Sequence, residues 1–243
     1  VSANSSLPVS DREIPILCYV TDRRSLSVPA AERRVPAASD AESKRLAEKI
    51  GTIAAAGVDW IQIREKDLAA RQLAELTREA IARTRTPVSG RSVRIIVNDR
   101  LDVAIAEGAG GVHLGEMSLP VADAAMWTKR MHPGGAGRRF SIGASCHSLD
   151  GVKAAVRDGA DYVFFGPVFA TPSKTKFGEP QGVKKLGAVC GAVDVPVIAI
   201  GGITLENAGD CIAAGAAGIA AIRLFQDAAE PTQVISALKR LRK

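Results

Sequence analysis

Aromatic side chains are scarce in this chain, at 4% of 243 residues. A core cannot be assembled around large rings, so it has to come from Ala, Val, Ile and Leu, as is common where helices cover a parallel sheet. Interleaved basic and aromatic residues are missing too, and no RNA-binding signature is present; nucleic acid is therefore not expected as a partner. The four cysteines, Cys18, Cys146, Cys190 and Cys211, are far apart and form no C-x-x-C pair. This is not a dense extracellular disulfide framework, and free buried thiols in a reducing compartment are expected. His113, His147 and Glu116 show no metal-ligand spacing, so no zinc site is expected. No apolar run approaches the length that spans a bilayer. The segment Val1–Ser6 lacks the basic-then-apolar order of a secretory leader. A soluble, cytoplasmic protein with no membrane partner is the expectation. No G-x-G-x-x-G follows the first strand, which counts against a dinucleotide fold.

What is present is periodic. Gly57, Gly108, Gly159 and Gly215 each follow a helical pattern and precede a short apolar run. They recur at intervals of about fifty residues, roughly two strand–helix units, as in a repeated architecture. Strands are expected at 14–20, 60–63, 93–97, 112–114, 140–143, 162–165, 195–200 and 219–222. Helical patterns cover 40–56, 68–84, 100–107, 120–131, 149–157, 183–193, 205–214 and 232–241. Eight alternating units of this size predict an α/β fold, a single closed (β/α)8 TIM barrel over 13–243, after a polar N-terminal tail at 1–12. Residues 23–38, with Arg23, Arg24, Arg33 and Arg34, read as a basic surface insertion in the first loop of the catalytic face. The net charge of +6 suits anionic small substrates.

Catalytic groups of such barrels sit at the C-terminal ends of strands. Gln62, Arg64 and Lys66 alternate at the end of the second strand, so they share a face and suit a phosphate or pyrophosphate. The third strand ends in Asn98-Asp99, the latter a hard oxygen ligand suited to Mg²⁺, the former able to orient it or bond a ligand. The fourth offers His113 and Glu116, the fifth Ser145 and His147. For His113, in an apolar strand, a satisfied core histidine and a catalytic one are both open; His147 is placed for proton transfer or for loop packing. The sixth strand leads into Gly166–Lys174, with Thr171, Ser173 and Lys174, whose ammonium can neutralise a leaving pyrophosphate. Gly201-Gly202 opens a helix and offers backbone N–H groups to a phosphate that Arg223, at the eighth strand end, can clamp.

Five segments in order, Ile61–Asp67, Val97–Arg100, Gly111–Gly115, Gly166–Lys174 and Ile200–Ile203, resemble the thiamine-phosphate synthase/TenI family over about residues 15–227. The resemblance implies a barrel that joins hydroxymethylpyrimidine diphosphate to a thiazole phosphate and releases pyrophosphate, with Mg²⁺ as cofactor and a homodimer as assembly. Gln62, Arg64, Lys66, Asn98, Asp99, Thr171, Ser173 and Lys174 match the synthase pattern. The chain departs from it in the fourth segment, H-x-G-Q-x-D in synthases: Ser118 stands where a second Mg²⁺-binding Asp is expected, and Glu116, two residues away, is the candidate replacement. Arg223 stands near a position that is usually Ser. Ser145-Cys-His147-Ser148 is similar to the TenI-type segment, whose histidine moves a proton in a thiazole tautomerase, and that activity is the alternative reading. A non-catalytic phosphate-ligand barrel is the third.

Overall fold

The computed structural model describes residues 14–26, 38–85, 92–131, 140–171 and 179–241. The expected tail at 1–12 and most of the loop insertion, 27–37, lie outside them. Eight strands, β1 (Ile16–Val20), β2 (Trp60–Ile63), β3 (Arg94–Asn98), β4 (Gly111–Leu114), β5 (Ser141–Cys146), β6 (Tyr162–Phe165), β7 (Val197–Ile200) and β8 (Gly218–Ala221), pair in parallel and in chain order to close a barrel. Closure is made by β8 against β1, from Ile16 opposite Gly218 to Tyr19 opposite Ala221. The helices between them are α1 (Ala38–Ala55), α2 (Ala70–Arg83), α3 (Leu101–Ala106), α4 (Val121–Met131), α5 (Leu149–Arg157), α6 (Gly182–Cys190) and α7 (Ala208–Ala213). After β8 come a four-residue helix, α8 (Arg223–Gln226), and then α9 (Pro231–Lys239).

Local chemistry explains these elements. α2 buries Leu73, Leu76, Thr77 and Ala80, a spacing that lays one stripe on the sheet. Ser148 caps α5 by accepting from the Gly151 N–H at 3.1 Å. The four recurring glycines end helices in the left-handed region, at φ +98, +66, +106 and +100, which a side chain would oppose. A large apolar core lies between the sheet and its helices. A second, smaller one fills the lumen with Ile16, Cys18, Val20, Ile96, Tyr162, Phe164 and Ile198 among its members. The barrel is thus a packed cylinder whose chemistry is left to its rim.

The first loop departs from a surface insertion at its start. A 3-10 turn, Arg23–Ser25, follows β1, and Arg23 is buried. Its guanidinium meets Glu65 at 3.1 Å and Asp67 at 2.6 Å, with a second, very short bond to Asp67. Glu65, itself buried, also accepts from the Thr21 hydroxyl at 2.6 Å. Burial pushes the Glu65 carboxyl up, against the pull of Thr21 and Arg23, while the Arg23 guanidinium holds Asp67 well below the usual carboxylate range. The α8 helix joins the same rim: Gln226 accepts from the Tyr19 hydroxyl at 2.6 Å and donates to the Asp22 carbonyl at 2.9 Å and the Ser25 hydroxyl at 2.7 Å.

Candidate active site

The alternation after β2 separates two sets of contacts. Glu65 and Asp67 turn to Arg23, whereas Gln62 and Lys66 reach the end of β3. Gln62 donates to the Asn98 side-chain oxygen at 3.0 Å, and Asn98 donates to Asp99 at 2.6 Å. The Lys66 ammonium lies 3.4 Å from the same Asp99 oxygen. Asp99's other oxygen accepts from the Gly115 N–H at 3.2 Å and, through a very short bond, from the Ser118 hydroxyl. Burial raises the Asp99 carboxyl, but Ser118, Lys66 and Gly115 together hold it below its ordinary range, so it stays ionised at neutral pH. Asp99 has φ +62, the described non-glycine residue in the left-handed region. Such strain concentrates at functional sites, and Asp tolerates it better than most residues.

Arg64 lies between these two sets. Its backbone N–H donates to Thr21 at 2.9 Å, which ties the strand end to the buried hydroxyl under it. The half-buried Arg64 guanidinium has no hydrogen bond or ion pair among the described residues.

On the far side of the mouth, His113 is buried at 1% exposure and contacts Ser145 Oγ from its Nε2 at 2.9 Å. His147 is half-buried and follows β5. Its Nδ1–H donates to the Gly166 carbonyl in a very short bond, which leaves Nε2 4.0 Å from Glu116. Glu116 is exposed and faces His147, while Ser118 is the residue of that segment that touches Asp99. The neighbouring Cys146 thiol is pushed up to about 11 by burial and by Glu116, so it supplies no thiolate nucleophile at neutral pH.

Gly201 and Gly202, at φ +97 and +67, turn the chain after β7. A side chain on Gly202 would meet the Phe169 and Ala170 carbonyls at 2.7 and 2.5 Å. Asn207 holds the turn open to the mouth by accepting from the Thr204 N–H at 2.8 Å and donating to the Gly202 carbonyl at 3.0 Å. Arg223 begins α8 at the next strand end, exposed. Thr171 is half-buried at the end of the β6 loop. Ser173 and Lys174 lie outside the described residues. The structure therefore brings Gln62, Lys66, Asn98 and Asp99 into one bonded wall, His113 with Ser145, and His147 with Glu116. Thr21, Ser118 as an Asp99 partner, and Tyr162 under His113 were not singled out from sequence; only Ser118 carried a signal, as a departure from the pattern.

A Mg²⁺ ion is usually held by one or two carboxylates, phosphate oxygens and water. Asp99 is one ionised, pre-oriented carboxylate at the rim, and Ser118 adds a hydroxyl. No group of three or more His, Cys, Asp or Glu able to hold a metal occurs among the described residues. The donor set fits Mg²⁺ carried in with a diphosphate, at the lower end of what that ion takes.

Residues 35–225 match the family described as thiamine monophosphate synthase. The chain is 37% identical to a thiamine-phosphate synthase of Chlorobium luteolum over 92% of its length and 91% of that protein. It is 46% identical to one of Methanoculleus marisnigri, over 70% of this chain and 74% of that one. Among solved structures, thiamine phosphate pyrophosphorylase from Pyrococcus furiosus superposes with a TM-score of 0.72 at 30% identity, covering 93% of this chain and 94% of that one. With its closed eightfold barrel and a rim of cations around one strained aspartate, the chain belongs to the thiamine monophosphate synthase family.

Proposed function

We propose that the chain acts as a thiamine-phosphate synthase, joining hydroxymethylpyrimidine diphosphate to a thiazole phosphate. The observation that carries this reading is the wall Gln62–Asn98–Asp99 with Lys66 paired to it and Arg64 beside it. In the reaction the bond from the pyrimidine methylene to the diphosphate oxygen breaks, and its electron pair leaves with the diphosphate. The thiazole nitrogen lone pair then forms the new C–N bond. Arg64, Lys66 and Lys174 neutralise the departing diphosphate, and Gln62, Asn98, Thr171 and Ser173 orient it. Gly201, Gly202 and Arg223 hold the thiazole phosphate, and Ser145, with the buried His113 beneath it, borders the diphosphate from the far side of the mouth. When bound, Mg²⁺ supplies further charge neutralisation to the diphosphate, and Asp99 is the residue that would hold it. Purified protein supplied with both substrates and Mg²⁺ is expected to form thiamine phosphate; no product at high enzyme concentration overturns the reading.

The metal assignment has its own test. Ser118→Asp places a second carboxylate beside Asp99, so the half-saturating Mg²⁺ concentration is expected to fall about tenfold. Melting temperature without substrate should become more sensitive to Mg²⁺ as well, since two adjacent carboxylates repel until a cation joins them. An unchanged requirement in both measurements would exclude this pair as the metal's seat, and would leave Glu116, which faces His147, to be tested next.

One observation favours a second reading. With Nδ1–H held by Gly166 and Nε2 turned toward Glu116, His147 is arranged as a general base for a thiazole tautomerase. In that case His147→Ala loses roughly 10²–10⁴-fold of proton-transfer activity on a thiazole carboxylate phosphate; full activity in the variant ends the assignment. We further propose a cytoplasmic homodimer. The described cysteines are free thiols, and Met126, Trp127 and Met131 leave an apolar stripe exposed on α4. No described helix is long and apolar enough to cross a membrane. A monomer mass by light scattering would contradict the dimer, and recovery of the native protein outside the cytoplasm would contradict the location.

A further inference from the structure

Beneath the rim, three neighbouring strands build a column of polar groups inside the otherwise apolar lumen. His113 on β4 lies opposite Gly143 on β5, and Gly143 lies opposite Tyr162 on β6. Because Gly143 has no side chain, the Tyr162 ring extends across β5: a Cβ there would overlap Tyr162 Cζ and Oη. The phenol thereby reaches His113 Nδ1 at 3.2 Å, while His113 Nε2 reaches Ser145 Oγ at 2.9 Å, one layer nearer the mouth. Phe164 packs against the imidazole, tilted 37° to it with ring centroids 4.2 Å apart. Trp60 braces Tyr162 from the other side at 4.8 Å.

The direction of the hydrogens in this column follows from what each group can do. Tyr162 is 1% exposed, and its hydroxyl meets no acceptor other than His113 among the described residues. Burial pushes the phenol well above its usual value, so it keeps its proton. A buried O–H is rarely left without an acceptor, so it donates to Nδ1. His113 must then carry its own hydrogen on Nε2 and donate it to Ser145. With its oxygen accepting from below, the half-buried Ser145 hydroxyl has its hydrogen available toward the mouth. The opposite polarity would strand the Tyr162 hydrogen in the lumen and turn the serine hydrogen inward.

We propose that Tyr162 and His113 are positioning residues that fix Ser145 as a hydrogen-bond donor into the mouth, toward an acceptor-only oxygen of the phosphorylated substrate. The substrate named here rests on the synthase reading; the polarity of the column does not. Gly143 belongs to the same device, since it leaves the space through which the phenol reaches across.

The first arm of the test uses the unmodified chain. Protein labelled with ¹⁵N-histidine gives three ring systems, and His113 is assigned by loss of its signals in His113→Gln. The expected result at neutral pH is a neutral ring with hydrogen on Nε2 alone; hydrogen on Nδ1 overturns the proposal. The second arm measures binding of inorganic pyrophosphate with Mg²⁺ by calorimetry. Tyr162→Phe and Ser145→Ala are each expected to weaken it roughly three- to tenfold, and the double variant to be no weaker than Ser145→Ala alone. Ser145→Thr, which keeps the hydroxyl, should bind like the unmodified protein. Additive losses, or full affinity in Tyr162→Phe, would show that the phenol does not act through Ser145. Neither arm needs turnover. A chain that makes no thiamine phosphate would sink the synthase reading while these two results still decided the column.

Discussion

Arg64→Ala is expected to lower kcat for thiamine phosphate formation by roughly 10²–10³-fold, the cost of removing one pre-organised charge from a developing anion. Of the cations in the described rim, Arg64 is held by its backbone and has a guanidinium with no hydrogen bond or ion pair among the described residues. Lys66 is already paired with Asp99 and is more than half exposed. The leaving diphosphate gains charge as its C–O bond breaks, so a donor aimed at it matters more in the transition state than in the bound substrate. KM for the pyrimidine diphosphate should therefore change less than kcat. Arg64→Lys should recover only part of the rate, because an ammonium cannot make two parallel bonds to a phosphate. Steady-state kinetics with each substrate varied in turn check this, and an Arg64→Ala enzyme as fast as the unmodified one would remove Arg64 from the chemistry.

Arg23→Ala is expected to destabilise the fold by about 3–5 kcal/mol, the usual effect of leaving a buried charge without its partner. For a chain of this size the loss corresponds to a melting temperature roughly 6–20 °C lower. The stranded group is Glu65, which would keep the Thr21 hydroxyl and lose the guanidinium. Adding Glu65→Gln should restore a large share of the stability, since the neutral amide needs no counter-charge; a double variant as unstable as Arg23→Ala would show that Glu65 is not the cause. The pH dependence has a definite sign. In the unmodified protein Asp67 sits below its unfolded value, so its contribution is present above the unfolded carboxylate range and is lost as pH falls through the folded value. Glu65 sits above its ordinary value because of burial, and without Arg23 it rises further, so the variant regains stability on acidification. The gap between the two proteins should be widest at neutral pH and close as the pH drops into the carboxylate range.

The parts of this molecule that were legible in the sequence are those set by local rules. The glycines at 57, 108, 159 and 215 mark left-handed helix ends in both sequence and structure. Of the alternating set Gln62, Arg64 and Lys66, the first and last reach the end of β3, as the two-residue period of an extended chain leads one to expect. All eight strands fall within three residues of their expected bounds. The unread parts depend on residues that meet only when the barrel closes. Arg23 looks like one more surface cation until Glu65, far along the chain, comes to lie against it. α8 has four residues, too few for any periodicity to register. The choice left open at His113 could not be made from β4 alone, because its partners come from β5 and β6. It is a satisfied core histidine, and its outer bond reaches the rim of the proposed site.

Closure also governs how the chain comes to be folded. The seam joins the first strand to the last, with Gly218 packed so closely on the Ile16 carbonyl that a Cβ would overlap it. During synthesis β1 leaves the ribosome long before β8, and until then both β1 and β7 present unpaired edges. A nascent chain in that state has most of its secondary structure and an open, adhesive cylinder, the condition in which parallel sheets are slow to fold and prone to associate wrongly. The eighth strand therefore acts as a latch on the seven made before it.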